Sequence, residues 1–112
     1  MKKITPFLIA LLLLCFVTTM QSQVEINEVL SSNSTVLADE NSSYEDWVEL
    51  LNTGASAVNL NGYGLSDDAD LPLKWTFPNV SIGAGQYLLV WCSDKNRRVP
   101  GSPLHTNFKI SS

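Results

Sequence analysis

The sequence predicts an all-β protein folded as an antiparallel sandwich, on the basis of three observations. Short apolar or alternating segments recur roughly every ten positions, and Gly, Pro and Asn separate them. After residue 22, no segment of useful length has the apolar period of a helix. The clearest strand patterns lie at 24–30, 46–51 and 87–92.

Residues 1–22 have the pattern of a secretory signal peptide. Lys2 and Lys3 give a basic start, residues 7–17 are apolar, and small or polar residues follow. The apolar run is too short to span a bilayer comfortably. We therefore expect an exported protein with one domain over residues 23–112.

The expected mature domain is acidic and has a single cysteine. Without Lys2 and Lys3, five Lys and Arg residues oppose eleven Asp and Glu residues, a formal balance of −6. This charge argues against nucleic-acid binding, which needs a basic surface. Removal of Cys15 leaves Cys92 alone, so no internal disulfide can form, which fits a bacterial exported protein.

The first half of the domain predicts three strands. Residues 24–30 alternate, with Glu28 on the apolar side, and the polar loop 31–45 follows. Residues 46–51 carry apolar side chains on both faces, which predicts an interior strand. The sequence Asn52-Thr53-Gly54 is typical of a turn, and 57–65 predicts a short strand broken or bulged near its glycines. We expect little to hold the polar loop beyond three apolar residues, Val36, Leu37 and Tyr44.

The second half alternates turns and strands. An acidic turn precedes a short strand that includes Trp75 and Phe77 and ends at Pro78. Residues 79–86 predict a glycine-containing turn, and 87–92 predicts a second central strand. A loop is expected over residues 93–105, and a further strand begins within 107–112.

These segments together resemble the lamin tail domain family, in particular its bacterial exported versions. The resemblance covers nearly all of residues 23–112 and rests on an ordered series of motifs: INEV at 26–29, DWVELLNTG at 46–54, VNLNGYGLSDD at 58–68, KWTFP at 74–78, IGAGQYLLVW at 82–91 and LHTNFKIS at 104–111. It implies an immunoglobulin-like β-sandwich used as a non-catalytic module for interaction or surface attachment. Family members continue into a Gly-rich turn and further strands, so we expect an incomplete sandwich that is part of a longer protein.

Glu28 and Glu49 are candidate structural carboxylates. Both lie in line with apolar residues, where a carboxylate must be paired or hydrogen-bonded. One interpretation is a paired acid–base or metal site. The favoured interpretation is that each accepts hydrogen bonds at a turn or bulge and fixes the adjoining loops.

Asp67, Asp68 and Asp70 form a candidate calcium site, although their spacing does not match a helix–loop–helix calcium motif. The favoured alternative is a solvated acidic turn, with no cofactor bound. Further oxygens could come from the first long loop, at Asp39, Glu40, Glu45 and Asp46.

Three other groups have a structural explanation that we favour. Cys92 and His105 could form a nucleophile pair, but a lone cysteine after an apolar strand is usually a small buried hydrophobe. The basic loop residues could meet an anionic polymer or simply be solvated; they are Lys95, Arg97 and Arg98. The aromatic residues could form a carbohydrate platform but alternate in phase with strands, which favours the core; they are Trp47, Tyr63, Trp75, Tyr87 and Trp91.

The sequence therefore predicts a non-enzymatic, secreted or cell-surface module that binds a protein or surface partner. The alternative is an accessory domain attached to a secreted hydrolase or nuclease encoded downstream. The identity of the binding residues and the oligomeric state stay open.

Overall fold

The computed structural model describes residues 23–110, and all their regular structure is β. The predicted signal peptide, residues 1–22, lies outside the described residues. The described residues form eight strands: β1 Val24–Leu30, β2 Trp47–Asn52, β3 Val58–Asn59, β4 Gly64–Leu65, β5 Trp75–Thr76, β6 Ser81–Ile82, β7 Tyr87–Trp91 and β8 Leu104–His105.

One layer is a four-stranded sheet in the order β1-β2-β7-β8. The sheet confirms that the strands predicted at 46–51 and 87–92 are interior. The first three strands are antiparallel, but β8 runs parallel to β7. A parallel pair needs a connection of about a dozen residues, and residues 92–103 provide it. The last two residues of the loop predicted over 93–105 therefore form a strand, β8.

The second layer is a broken antiparallel pair. β3 pairs with β6 and β4 pairs with β5, and loop hydrogen bonds such as Leu60 N to Val80 O continue the ladder between them. Gly62, at φ 81°, occupies the break, as the predicted glycine interruption requires. β6 lies where the sequence predicted only a turn.

The core lies between the two layers and confirms the predicted sandwich. Alternate residues of β2 and β7, such as Val48 and Val90, face the second layer, because a strand directs successive side chains to opposite faces. The buried core residues are Val48, Leu50, Leu60, Trp75, Phe77, Ile82, Val90, Cys92, Leu104 and Phe108.

Asn52 fixes the end of β2 to both neighbouring turns. Its side chain is fully buried, donates to Ser56 O and Ile82 O at 2.9 Å each, and accepts from Gly54 N. The local turn bond to Gly54 is the one that the sequence predicts. The long-range bond to β6 adds a connection between the two layers.

Polar side chains, not apolar ones, organise the long loop 31–46. Asn33 is buried and donates to Leu37 O and Glu45 O, while its backbone N–H donates to Asp46. The expectation that apolar residues hold this loop is wrong, because all three are substantially exposed. These residues are Val36, Leu37 and Tyr44.

The described chain after β8 makes one β-bridge, between Lys109 and Ser93, which lies just beyond the end of β7. Phe108 packs into the core. The strand predicted within 107–112 is thus reduced to a bridge over the part that the structure describes, which ends at residue 110.

Candidate functional site

A hydrogen-bond chain links the loop 31–46 to β8 through the buried ring of His105. His105 Nε2 lies 2.7 Å from Glu40 Oε1, and Nδ1 lies 2.7 Å from Ser93 Oγ. Because a carboxylate only accepts, Nε2 carries a hydrogen. In the neutral ring, Nδ1 then accepts from the Ser93 hydroxyl, whose oxygen accepts from Lys95 N. The ring also stacks on Trp91, with centroids 6.3 Å apart.

Asp39 adds an ion pair to the same region. Its side chain is buried, with one oxygen accepting from the backbone of Asn41 and Ser43 and the other paired with Lys95 Nζ. Burial alone would raise the pKa of Asp39, but the bond from Lys95 and the two backbone bonds outweigh it and hold the pKa below its usual 3.8. The carboxylate is therefore kept ionised.

Glu40 is held in the same way, at a more exposed position. Its carboxylate pairs with Arg97 as well as with His105. Burial again acts to raise the pKa, but its own backbone N–H and the bonds from Arg97 and His105 lower it below its usual 4.5. Two loop carboxylates thus meet two cations of the β7–β8 connection.

The residue types Ser, His and Glu occur in nucleophilic catalytic triads, but this geometry is not catalytic. In a triad Nε2 faces the nucleophile and Nδ1 faces the carboxylate. Here the order is reversed, and Ser93 is 4% exposed with its oxygen already accepting from a backbone N–H. The hydrogen bonds that join Ser93, His105 and Glu40 instead hold the loop 31–46 against the sheet.

Asp39, Glu40 and His105 also offer ligand atoms within 4.8 Å of one another. That spacing suits a metal ion. The carboxylates, however, already contact Lys95 and Arg97, so a metal would have to displace both cations. We therefore assign the cluster to ion pairing.

The proposed pair Cys92 and His105 is not formed. Both ring nitrogens of His105 are already bonded to other groups, and the Cys92 thiol contacts Thr106. Burial raises the pKa of Cys92 to about 11, so the thiol stays protonated at neutral pH. This is the chemistry of a buried hydrophobe.

The three acidic residues of the predicted calcium turn are partly engaged in local bonds. Asp67 pairs with Lys74 at 2.8 Å, a bond that lowers the pKa of Asp67, and Asp68 accepts from the backbone of Asp70. Those contacts are typical of a solvated turn, which stays the prediction, with calcium binding as its untested alternative.

The basic loop residues are distributed among separate partners. Lys95 and Arg97 belong to the cluster on the loop 31–46, whereas Arg98 donates to the backbone and hydroxyl oxygens of Thr76. They do not form one free basic patch.

The aromatic residues divide into two groups. The three tryptophans are at most 7% exposed, which confirms the core interpretation for them. Tyr63 and Tyr87, at 54% and 58%, are exposed. The core interpretation, which we favoured for all five, does not hold for these two tyrosines.

Glu28 and Glu49 lie directly opposite each other on β1 and β2. A bulge at Asn27 shifts the register, so Glu28 leaves the apolar side that simple alternation assigns to it, and Ile26 and Val29 share that side instead. Asn27 donates to Glu49 at 2.9 Å, a bond that fixes the bulge. That both carboxylates have a structural role stays a prediction.

The bulge has a consequence for the inner face of β1. Ile26 and Val29 pair with Leu50 and Val48, which face the core, yet they are 55% and 51% exposed. The second layer does not reach far enough to cover them. A groove of about 460 Å³ separates β1 from β4. We call it the β1 groove, and it is lined by Gln23, Val24, Glu25, Ile26, Leu50, Val58, Leu60, Tyr63, Gly64, Leu65 and Phe77.

The two layers, the core between them and the non-catalytic cluster define a β-sandwich of the immunoglobulin-like class. The chain belongs to the lamin tail domain family, whose family model matches residues 18–111. The match confirms the resemblance seen in the sequence, and the family is one of immunoglobulin-like domains without enzymatic function. No curated protein and no solved structure matches the chain significantly. Within residues 23–110, no helix has the length and apolar character needed to cross a membrane.

Sequence reasoning missed the roles of Ser93 and Glu40. Glu40 lies 65 positions before His105, and neither spacing nor local composition links such distant residues. One signal in the sequence could have indicated this contact: the first long loop is rich in carboxylates, and a later loop is rich in cations.

Proposed function

We propose that this domain is a non-catalytic module of an exported protein that binds a protein partner at the cell surface. The observation that supports it is the exposed inner face of β1, where apolar side chains of a sandwich core meet solvent. Exposed apolar surface beside an open sheet edge is typical of interaction sites. Ser93, His105 and Glu40 support the same proposal, because their hydrogen bonds hold the loop 31–46 in place and do not form a catalytic triad.

Export and surface retention can be tested with a reporter enzyme fused after residue 112 and expressed in a bacterium. The matched control lacks residues 1–22. We expect the reporter to be accessible to protease on intact cells only when residues 1–22 are present. Reporter that stays inside the cell, or that is released without retention, would contradict the proposal.

A further inference from the structure

We propose that the β1 groove binds an extended polypeptide strand from a partner protein, with apolar residues at alternate positions and Lys or Arg between them. This inference rests on the proposed function and names the surface and the partner chemistry. The strand would add to the outer edge of β1 and place its apolar side chains against Ile26 and Val29.

The sheet has two edges, and the part of the chain that the structure describes covers only the edge at β8. At β8, Arg97 of the preceding loop pairs with His105 through two backbone hydrogen bonds of 3.0 Å. Among the strands of residues 23–110, β1 has a neighbour on one side only. Because strand hydrogen bonds alternate in direction, part of the backbone from residue 25 to residue 30 faces outward.

The second layer shows the same asymmetry. Its β5 side is covered, since Arg98 bonds to Thr76 and Asn107 donates to Lys74 O. Its β4 side borders the groove, where Leu65 contributes to the lining. The uncovered edges of both layers therefore lie on the same side of the sandwich.

The shape of the apolar surface indicates a strand as occupant. Leu50, Leu60 and Phe77 are buried residues that line the groove, and the exposed apolar face continues along β1 to Val29, beyond the groove lining. β1 is roughly 20 Å long at about 3.3 Å per residue. A long apolar face beside outward backbone groups suits β-strand addition better than a compact small molecule.

Charge determines the chemistry of the strand. None of the described residues that line the groove is basic, while Glu25 lies at its rim and Glu28 on the outer face of β1. The five Lys and Arg residues of the described chain contact partners elsewhere; these are Lys74, Lys95, Arg97, Arg98 and Lys109. Acidic groups on β1 without a nearby cation favour a basic partner strand.

The same charges disfavour a second copy of this chain as occupant. If two β1 strands paired antiparallel about Ile26, the register that keeps Val24 opposite Val29 on the apolar face, Glu25 of each copy would lie opposite Glu28 of the other. Like charges directly opposite on paired strands are destabilising. Self-pairing would therefore create two destabilising contacts between carboxylates.

The test uses the 112-residue chain and a strand-length synthetic peptide with Val at alternate positions and Lys between them. A second peptide carries Glu in place of Lys. We expect the Lys peptide to bind in a calorimetric titration, more weakly as salt is added, and the Glu peptide to bind at least about tenfold more weakly. Equal affinity for both peptides, or no binding of either, would overturn the proposal.

Two matched variants locate the site. Ile26→Lys places a positive charge on the exposed inner face of β1, whereas Val99→Lys makes the same change at an exposed residue in the β7–β8 connection. We expect Ile26→Lys to weaken the Lys peptide at least about tenfold and Val99→Lys to change it less than about twofold. An unchanged affinity for Ile26→Lys, with its native fold verified by near-UV circular dichroism, would exclude the groove.

Other occupants give distinct outcomes. Self-association in sedimentation that Ile26→Lys abolishes would assign the groove to a second copy and overturn the proposal. If the surface reporter is retained equally by wild type and Ile26→Lys, the groove assignment fails and the proposed function survives. If the peptide binds at Ile26 but the reporter is never retained, the proposed function fails and the groove assignment survives.

Discussion

Glu40 and His105 are 65 positions apart in the chain, and their side chains meet with Oε1 2.7 Å from Nε2. The contact joins a loop with little apolar burial of its own to the last strand of the sheet. Charged and polar bonds thus stabilise one side of the sandwich, as apolar packing stabilises its centre. On the opposite side, no strand of residues 23–110 covers the outer edge of β1.

Replacement of His105 by Phe tests how much the hydrogen bonds of its ring contribute to stability. The variant keeps a ring against Trp91 but removes both ring nitrogens, so Ser93 and Glu40 each lose a partner. Lost partners for buried polar groups cost about 1 to 3 kcal/mol in the free energy of unfolding. Urea unfolding measures this cost, and limited proteolysis should show faster cleavage within 31–46.

The matched control for that variant is Val99→Ala, at an exposed residue of the same connection. Its free energy of unfolding should change by less than about 0.5 kcal/mol. A His105→Phe variant as stable and as protease-resistant as this control would show that the bonds of His105 do not hold the loop.

The stability of the fold should fall in acid because Asp39 and Glu40 have lowered pKa values. A carboxyl group with a folded pKa below its unfolded value stabilises the fold above the unfolded pKa, and the contribution is lost as pH falls through the folded pKa. With usual values of 3.8 and 4.5, the loss begins at about pH 5 and continues below the usual values. Urea unfolding across this range measures it.

Asp39→Asn should flatten that acid loss, since it removes one of the titrating groups. Combined with Lys95→Gln in a double-mutant cycle, it should show a coupling that is present at neutral pH and absent in strong acid. Coupling that persists unchanged when the carboxylate is protonated would argue against the ion pair as its origin.

Asn52→Ala should be among the costly substitutions outside the apolar core. It removes the donor to Ser56 O and Ile82 O and the acceptor for Gly54 N, at a site with no exposed surface. We expect a loss of about 3 kcal/mol in the free energy of unfolding. Asn59→Ala is the control, because Asn59 is exposed, and it should cost less than about 1 kcal/mol. Similar losses in thermal or urea unfolding would refute the role given to Asn52.

Glu28 and Glu49 face each other on β1 and β2, but we expect their Gln variants to change the free energy of unfolding in opposite directions. Glu28→Gln removes a like-charge contact and should raise the free energy of unfolding by about 0.2 to 0.5 kcal/mol. Glu49→Gln also weakens the bond from Asn27 and should lower it by about 0.5 kcal/mol. Urea unfolding of both at low salt separates the cases, and a loss for Glu28→Gln would instead support the predicted structural role of this carboxylate.

The interior strands were predictable because their signal is local. Residues 46–51 and 87–92 carry apolar side chains on both faces, and continuous apolar runs are typical of interior strands. The turn at Asn52 and the break at Gly62 also follow from the preferences of single residues. These parts of the fold needed no knowledge of distant contacts.

The remaining features depend on contacts that alternation cannot show. The bulge at Asn27 moves Glu28 to the other face, and one extra residue in a strand has no clear signal in a period-two pattern. β6 and β8 have two residues each, too few to show a period. The cluster around His105 joins residues far apart in sequence, so only the folded chain brings them together.

Amide hydrogen exchange of residues 25–30 is the most direct measurement of strand addition at β1. In the chain alone, the outward amides of this segment should exchange rapidly, and saturation with the alternating Val–Lys peptide should slow them at least about tenfold, as new strand hydrogen bonds require. The amides around Arg97 and His105, at the covered edge, serve as the internal control and should not change. Outward β1 amides that are already protected without peptide, or that exchange equally fast with it bound, would rule out strand addition at this edge.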